Sequence, residues 1–562
     1  MEKRLGGLAL VWMMFLLAGC GGGSPSHSPS NTTYTLGGGA SGLTSGESVT
    51  LLNNGGDALT LSANGSFSFS TGLNSGNTYD VTVQSQTPGL SCSARNGSGT
   101  IGSSNVTSVV VSCALIPFSV GGTVSGLSTN ESVTLRNNAG DTLIVSGNGA
   151  FTFATSQTTG ASYDATVQSH TPGITCPVNN GSGTIASSNV TSIVVSCAAG
   201  TESVLHSFGS SATDGALPDA GLVMDGAGNL YGTTEGGGVS AQGTVFEIDA
   251  AGTESVLYSF AGNTDGSSPQ ADLLRDSAGN LYGTTFSGGA NSYYGTVFKI
   301  SAAGTESIVH SFTALVTGDG GSPLAGLVMD NAGNLYGTTY AGGTNNDGTV
   351  FKIDATGTES VLFSFPTGTN DNANPRASLI MDSSGNLYGT TVFGGANNGG
   401  TVFRISATGS ESIVYSFGSS VSDGWYPESQ LTMDSDGNLY GTTVDGGASN
   451  GGTVFKIGTD GTEGVLYSFG SSAADGLNPQ AGLVFGSDGN LYGTTYAGGA
   501  NGDGTVFKIS VGGTESVLYS FGSSASDGMN PVGGLAIDSV GNLYGTTTRG
   551  GVSNDGTVFK IN

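Results

Sequence analysis

The sequence predicts an all-β chain: a seven-bladed β-propeller preceded by two small β-sandwich modules. Three observations predict it. A unit of 52 or 53 residues recurs seven times, opening at Thr201, Thr253, Thr305, Thr358, Ser410, Thr462 and Thr514. Each unit carries four strand-like runs separated by turn residues, which at this period describes a propeller blade. Upstream, residues 33–114 and 116–198 are near-duplicates with period-two alternation such as Ser48-Val49-Thr50-Leu51, the mark of half-buried strands.

Residues 1–20 read as a leader. Lys3 and Arg4 precede an apolar run, Leu5 to Leu16, which is too short for an ordinary membrane span. The run ends in Leu17-Ala18-Gly19-Cys20, which resembles a bacterial lipobox. That resemblance implies cleavage before Cys20, acylation of its thiol and membrane attachment through lipid. Gly21 in place of aspartate implies, by analogy, export to the outer membrane. Residues 21–32 are rich in Gly, Ser and Pro and form a flexible tether.

In the two modules, Asn64-Gly65-Ser66-Phe67-Ser68-Phe69 matches Asn148-Gly149-Ala150-Phe151-Thr152-Phe153, and Asn-Gly pairs supply hairpin turns. Short strands over about 80 residues suggest a sandwich. The modules resemble bacterial Ig-like or transthyretin-like stalk domains. Beyond Cys20 the cysteines are Cys92, Cys113, Cys176 and Cys197, two pairs each spaced by 21. Because the spacing is duplicated with the module, the expected disulfides are Cys92–Cys113 and Cys176–Cys197. A zinc site is disfavoured, since the thiols lack companion histidines.

In the third repeat the four strand runs are Ala325–Asp330, Asn334–Thr339, Gly348–Ile353 and Thr358–Phe365. The array spans residues 200–562. It begins with a fourth-strand sequence and ends on a third strand, so Thr201–Phe208 should pair with Thr557–Ile561 and remove two open edges. Lysine and glutamate recur at an offset of seven, as in Lys299 and Glu306, and suggest cross-strand pairs. The recurring Tyr231 and Phe246 positions supply the core.

Asn490–Thr495 followed by Gly498–Ile509 shows the motif Asn-Leu-Tyr-Gly-Thr-Thr, then Gly-Gly-Ala-Asn-x-x-Gly-Thr-Val-Phe-Lys-Ile. Recurring seven times, it resembles the GloVer (Gloeo/Verruco) tandem repeat of bacterial surface proteins. The resemblance implies secretion and anchoring. It implies no activity and transfers no catalytic residue.

Composition narrows the function. With 41 acidic and 13 basic residues the net charge is −28, which excludes a nucleic-acid partner because phosphate needs a basic face. His206 and His310 occupy a Tyr/Phe position of the repeat and read as packing swaps. No catalytic set and no metal or cofactor site emerges, although calcium would suit an acidic ring. Each repeat has a loop Ser-Asp-Gly-x-x-Pro or its variant, carrying Asp214, Asp265, Asp319, Asp371, Asp423, Asp475 or Asp527. These aspartates, with the symmetry-breaking Trp425 and Tyr426, are the expected ligand-binding face, and turn capping is the alternative role for the aspartates. The reading is a monomeric, lipid-anchored, non-enzymatic surface scaffold for binding or adhesion, with a glycan or protein ligand. The alternatives are a carbohydrate-active enzyme using ring-face carboxylates and a purely structural surface protein.

Overall fold

The computed structural model describes residues 32–290, 293–313, 318–366 and 374–562; the leader with Cys20, and Asp371, lie outside them. All regular elements among the described residues are β-strands. The chain divides into two compact units. One runs to Phe118 and includes Gln157–Ala161 and Ile185–Ser188; the other holds Ser119–Ser156, Ser162–Thr184 and Asn189–Asn562.

In the first unit, one sheet runs Gly65–Ser68, Leu36–Ser41, Val106–Leu115, Leu90–Arg95. The other runs Asp57–Leu61, Val49–Asn53, Thr78–Gln86, Ser98–Thr100. Leu36, Val49, Leu51, Phe69, Val81, Val109 and Val111 fill their shared core. Burial alternates along Val49–Asn53, as expected of a strand with one face on the core. Cys92 and Cys113 are register partners on adjacent strands and form a disulfide. The second unit opens with the same two-sheet pattern, from Val120–Ser125 to Val190–Ser196, and contains the Cys176–Cys197 disulfide.

Among the described residues the repeats build seven four-stranded antiparallel sheets, each open, six of them with strands in sequence order. In the third repeat the strands are Val328–Met329, Leu335–Thr339, Thr349–Ile353 and Glu359–Ser364. The first is far shorter than its sequence run suggests, because only two residues find ladder partners. Thr-Val-Phe-Lys-Ile is buried at all but the lysine, since both faces of this strand meet neighbouring side chains. The glycine of Leu-Tyr-Gly-Thr-Thr is required by packing: a Cβ on Gly337 would lie 2.6 Å from Phe351 Cζ.

The seventh sheet joins the two ends of the array. Glu202–Ser207 pairs antiparallel with Thr557–Ile561, followed by Leu543–Thr547 and Ala536–Ile537. Hydrogen bonds also link each repeat to the next. The hydroxyls of Thr233, Thr284, Thr338, Thr390, Thr442 and Thr494 donate to the carbonyls of Ala271, Ala325, Ala377, Ser429, Ala481 and Gly533. Thr546 then donates to Ala220, in the first repeat, at 2.7 Å.

The lysine–glutamate pairs do not form as the sequence suggested. Lys299 stands opposite Ser307, and Glu306 opposite Ile300. Adjacent residues point to opposite faces of a strand, so the two charges are separated by the sheet. The lysine lies over a tyrosine instead, as Lys299 does over Tyr282 at 5.2 Å.

A carboxylate closes the first hairpin of six repeats. Asp330 Oδ1 accepts from the Ala332 and Asn334 amides, both at 2.9 Å, while Oδ2 accepts from Asn334 Nδ2 at 2.7 Å and the Tyr336 hydroxyl at 3.0 Å. Desolvation opposes this charge, but the Asn334 and Tyr336 bonds hold the carboxyl below its ordinary range. The sixth repeat has Gly486 at this position, and Asp488 takes over, accepting from Asn490 Nδ2 at 2.6 Å and the Tyr492 hydroxyl at 2.7 Å. Space is short at this position. A Cβ on Gly486 would stand 2.6 Å from both Asp488 Oδ1 and Tyr492 Cε2 and 3.3 Å from Pro172 Cγ, and the second sandwich also contacts the seventh hairpin. His170 N donates to Val540 O at 2.7 Å, and Gly200 N to Gly173 O at 2.8 Å.

Candidate functional site

After each loop proline the chain runs inward through two positions that flank a small residue. Side chains at these positions change from repeat to repeat, the second being glycine in four of them: Asp219 and Gly221, Gln270 and Asp272, Leu324 and Gly326, Arg376 and Ser378, Glu428 and Gln430, Gln480 and Gly482, Val532 and Gly534. All fourteen line one cavity of about 330 Å³ to which all seven repeats contribute. The proline fixes the entry of the strand, and the small residue accepts the inter-repeat threonine bond, so the flanking side chains are free to vary.

The lining is chemically mixed. Arg376 Nη1 is 3.1 Å from Glu428 Oε1, and its guanidinium lies 5.4 Å from the centre of the Tyr340 ring. Burial pushes the Glu428 carboxyl up and Arg376 counters it. Asp272 accepts from the Gly221 amide at 2.6 Å, yet burial keeps its pKa above the ordinary value. Gln270 Nε2 donates to Glu235 Oε1 at 2.8 Å. Asp219 lies against Glu235, and burial together with that neighbouring charge pushes it up to about 7. Acids, amides and one guanidinium thus converge on one water-accessible space, a set suited to hydroxyl groups.

The loop aspartates sit elsewhere and are engaged. Asp214, Asp423, Asp475 and Asp527 are only 4–6 % exposed. Asp423 accepts from the Ser419 and Gly424 amides, both at 2.7 Å, and from the Tyr415 hydroxyl at 3.2 Å. Asp475 and Asp527 accept from the Ser471 and Ser523 amides in the same way. Asp265 accepts from the Ala261 amide and the Tyr258 hydroxyl, and Asp319 from the Thr313 and Gly320 amides. Satisfying loop amides is turn capping, which at least one oxygen of each of these carboxylates performs, while Oδ1 of Asp265, Asp475 and Asp527 is buried without a hydrogen-bond partner. Asp371 lies outside the described residues.

Trp425 and Tyr426 are both half-buried. Trp425 sits in a two-residue strand paired with Asp445–Gly446. Tyr426 has φ of 61°, at a repeat position held elsewhere by Asn374, Asn478 and Asn530. It packs edge-on against Phe393 at 5.5 Å and Trp425 at 6.0 Å. Phe393 is 38 % exposed, so the three rings form a small, partly exposed aromatic cluster, with Tyr426 two residues before Glu428 in the chain. The cavity residues were visible in the sequence only as two variable columns beside an invariant proline.

No curated protein matches this chain. Among solved structures it is similar to PorZ, a surface component of the type-IX secretion system of Porphyromonas gingivalis, at 13 % identity over 87 % of this chain and 61 % of that one, with a TM-score of 0.43. It is also similar to a protein described as the extracellular domain of a one-component system of B. thetaiotaomicron, at 12 % identity and a TM-score of 0.42; the match covers 63 % of this chain but 39 % of that one. A luciferin-regenerating enzyme matches at 12 % identity over 53 % of this chain and 92 % of its own, with a TM-score of 0.34. These likenesses are too distant to carry function. The model of the Gloeobacter/Verrucomicrobia repeat matches residues 163–383 and 374–562, well over half of the sequence, and the chain belongs to that repeat family.

Proposed function

We propose that this protein is a non-enzymatic recognition scaffold of the bacterial surface whose seven sheets are the blades of a closed propeller. The ligand, a neutral glycan, enters the axial cavity at the rim formed by Phe393, Trp425 and Tyr426. The observation that carries this reading is the distribution of variation. The blade cores repeat almost unchanged, whereas polar chemistry that differs from repeat to repeat is gathered on one cavity wall. Aromatic faces cover sugar C–H surfaces, and Glu428, Gln430 and Gln480 can exchange hydrogen bonds with hydroxyls. The net charge of −28 disfavours polyanions. The two disulfide-containing modules act as a stalk, and lipid on Cys20 ties the assembly to the outer membrane.

The test is a glycan-binding screen of the full chain, repeated with Trp425→Ala and Arg376→Ala. Each variant is expected to weaken a hit tenfold or more, which corresponds to about 1.4 kcal/mol. Binding unaffected by both variants refutes the reading.

One observation favours glycan cleavage as a second reading. Asp219 and Glu235 form an unrepeated carboxyl pair, and Asp219 at about 7 is placed to hold a proton near neutrality, as a general acid must. Turnover of chromogenic glycosides that disappears in both Asp219→Asn and Glu235→Gln supports it; absence of turnover across a panel of such glycosides rejects it.

A further inference from the structure

Where one repeat meets the next, three side chains converge: the aromatic residue of Val-Leu-Tyr-Ser-Phe, the aspartate of the following loop and a glutamate opening another repeat's fourth strand. Four of these junctions hold tyrosine: Tyr258 with Asp265 and Glu306, Tyr415 with Asp423 and Glu463, Tyr467 with Asp475 and Glu515, and Tyr519 with Asp527 and Glu202. Two hold histidine instead. His206, Asp214 and Glu254 each offer one ligand atom, and these atoms lie within 4.8 Å of one another; His310, Asp319 and Glu359 do the same.

We propose that the two histidine junctions bind a divalent transition-metal ion, Zn²⁺ being the reference case. His206 Nε2 is 3.3 Å from Asp214 Oδ1, and His310 Nε2 is 3.8 Å from Asp319 Oδ1. Ligand atoms about 2.0–2.1 Å from a tetrahedral ion are roughly 3.4 Å apart, so the first pair already spans one edge of such a site and the second needs only a small closing movement. One imidazole with two carboxylates is a donor set suited to zinc and its first-row neighbours.

The second observation is unmet bonding. Nε2 of His310 is buried without a hydrogen-bond partner, as are Oε1 of Glu254 and Oε1 of Glu359. Leaving buried polar atoms unpaired is costly, and one cation in each junction would satisfy Glu254 at the first and His310 with Glu359 at the second. The same glutamate oxygen is orphaned at the tyrosine junctions of Glu202, Glu306, Glu463 and Glu515. Oδ1 of Asp265, Asp475 and Asp527 is unpaired there too, but a neutral phenol supplies no imidazole nitrogen, so the donor set for a transition metal is incomplete. The tyrosine junctions are therefore internal controls within the same chain. The consequence is structural as well as chemical. His206 lies on the strand that pairs with Thr557–Ile561, while Glu254 belongs to the neighbouring sheet, so an ion there would staple the end-joining strand to its neighbour.

The experiment strips the full chain with a chelator and equilibrates it with Zn²⁺ against a competing chelator. Metal content per chain and melting temperature are then measured. His206→Tyr and His310→Tyr install the residue that the sister junctions already accommodate, and circular dichroism checks that they fold. Two ions per chain are expected, one in each single variant and none in the double variant, with the Zn²⁺-induced rise in melting temperature lost alongside. In parallel, histidine ring resonances of the unmutated chain should shift on adding Zn²⁺ for His206 and His310 but not for His170. Less than one ion per chain, metal content unchanged in the double variant, or unshifted resonances of His206 and His310 overturns the proposal.

Discussion

Gly486→Asp is a substitution for which local sequence logic and the structure give opposite signs. It would make the sixth hairpin read Asp-Ser-Asp-Gly-Asn, the sequence of the fifth hairpin at Asp434-Ser435-Asp436-Gly437-Asn438. From the repeat alone the change should be neutral or stabilising, because it restores a cap worth about 1 kcal/mol. In the structure the cap is already supplied by Asp488, which holds Asn490 and Tyr492. A Cβ at Gly486 would meet Tyr492 Cε2 and Asp488 Oδ1 at 2.6 Å each and Pro172 Cγ at 3.3 Å. Overpacking of this kind costs about 1–3 kcal/mol, and the new carboxylate would face Asp488 with like charge. The expected result is a net loss of about 2 kcal/mol, measured as the shift in urea midpoint at constant slope. Combining it with Pro172→Ala, which removes the Cγ contact, should recover part of that loss. Unchanged or increased stability in Gly486→Asp would refute the overpacking, and no recovery on adding Pro172→Ala would refute the part the second sandwich plays at this hairpin.

Further outcomes follow from the titrating and covalent groups. Burial first, and for Glu202, Glu463 and Glu515 then a neighbouring aspartate, pushes these three glutamates up to about 7. Their stabilising contribution is complete below the unfolded value near 4.5 and is lost as pH rises through about 7. Because each is roughly half open to solvent, we discount it to about 1 kcal/mol apiece; Glu202→Gln, Glu463→Gln and Glu515→Gln together should flatten the decline in melting temperature between pH 5 and 8. The hairpin carboxyls Asp225, Asp276, Asp330, Asp382, Asp434 and Asp538 are held low, so their contribution disappears on the acid side, as pH falls below about 4. Replacing Cys92 and Cys113 by serine should cost about 3 kcal/mol from a loop of 21 residues, read as a lower melting temperature. Mass spectrometry of the exported chain should find an acylated Cys20 at the mature N-terminus; an unmodified N-terminus beyond it would remove the anchor from the account.

The repeat period, the all-β class and the cysteine pairing were legible because each depends on spacing along the chain. The runs Gly348–Ile353 and Thr358–Phe365 became strands at Thr349–Ile353 and Glu359–Ser364, within one residue at each end. What the period could not show is which side chains meet across repeats. Asp214 reads identically in sequence whether it faces solvent or caps its own loop, and only packing reveals that His206, Ser210 and Gly215 enclose it. Lys299 and Glu306 have suitable spacing, but a pairing register displaced by one residue puts them on opposite faces. Arg376 and Glu428 lie 52 residues apart in sequence and become neighbours only when adjacent repeats are placed side by side. Gly486 departs from the aspartate held at this position by the other repeats, and nothing in the period tells that a Cβ there would meet Tyr492, Asp488 and Pro172, the last more than 300 residues earlier in the chain.

The proposed axial site exists only if the first and last strands pair, and the register of that pairing can be measured directly. Ser203 is the partner of Lys560, as Cys92 is of Cys113, which are already disulfide-bonded. In the full chain, Ser203→Cys with Lys560→Cys should form a disulfide under mild oxidation, detected as a cross-linked peptide in non-reducing mapping. Ser203→Cys with Lys508→Cys, the equivalent position one repeat earlier, should not. A cross-link at 203–560 alone is the result predicted by a closed ring; its absence, or equal cross-linking of both pairs, would contradict the closure on which the proposed site depends.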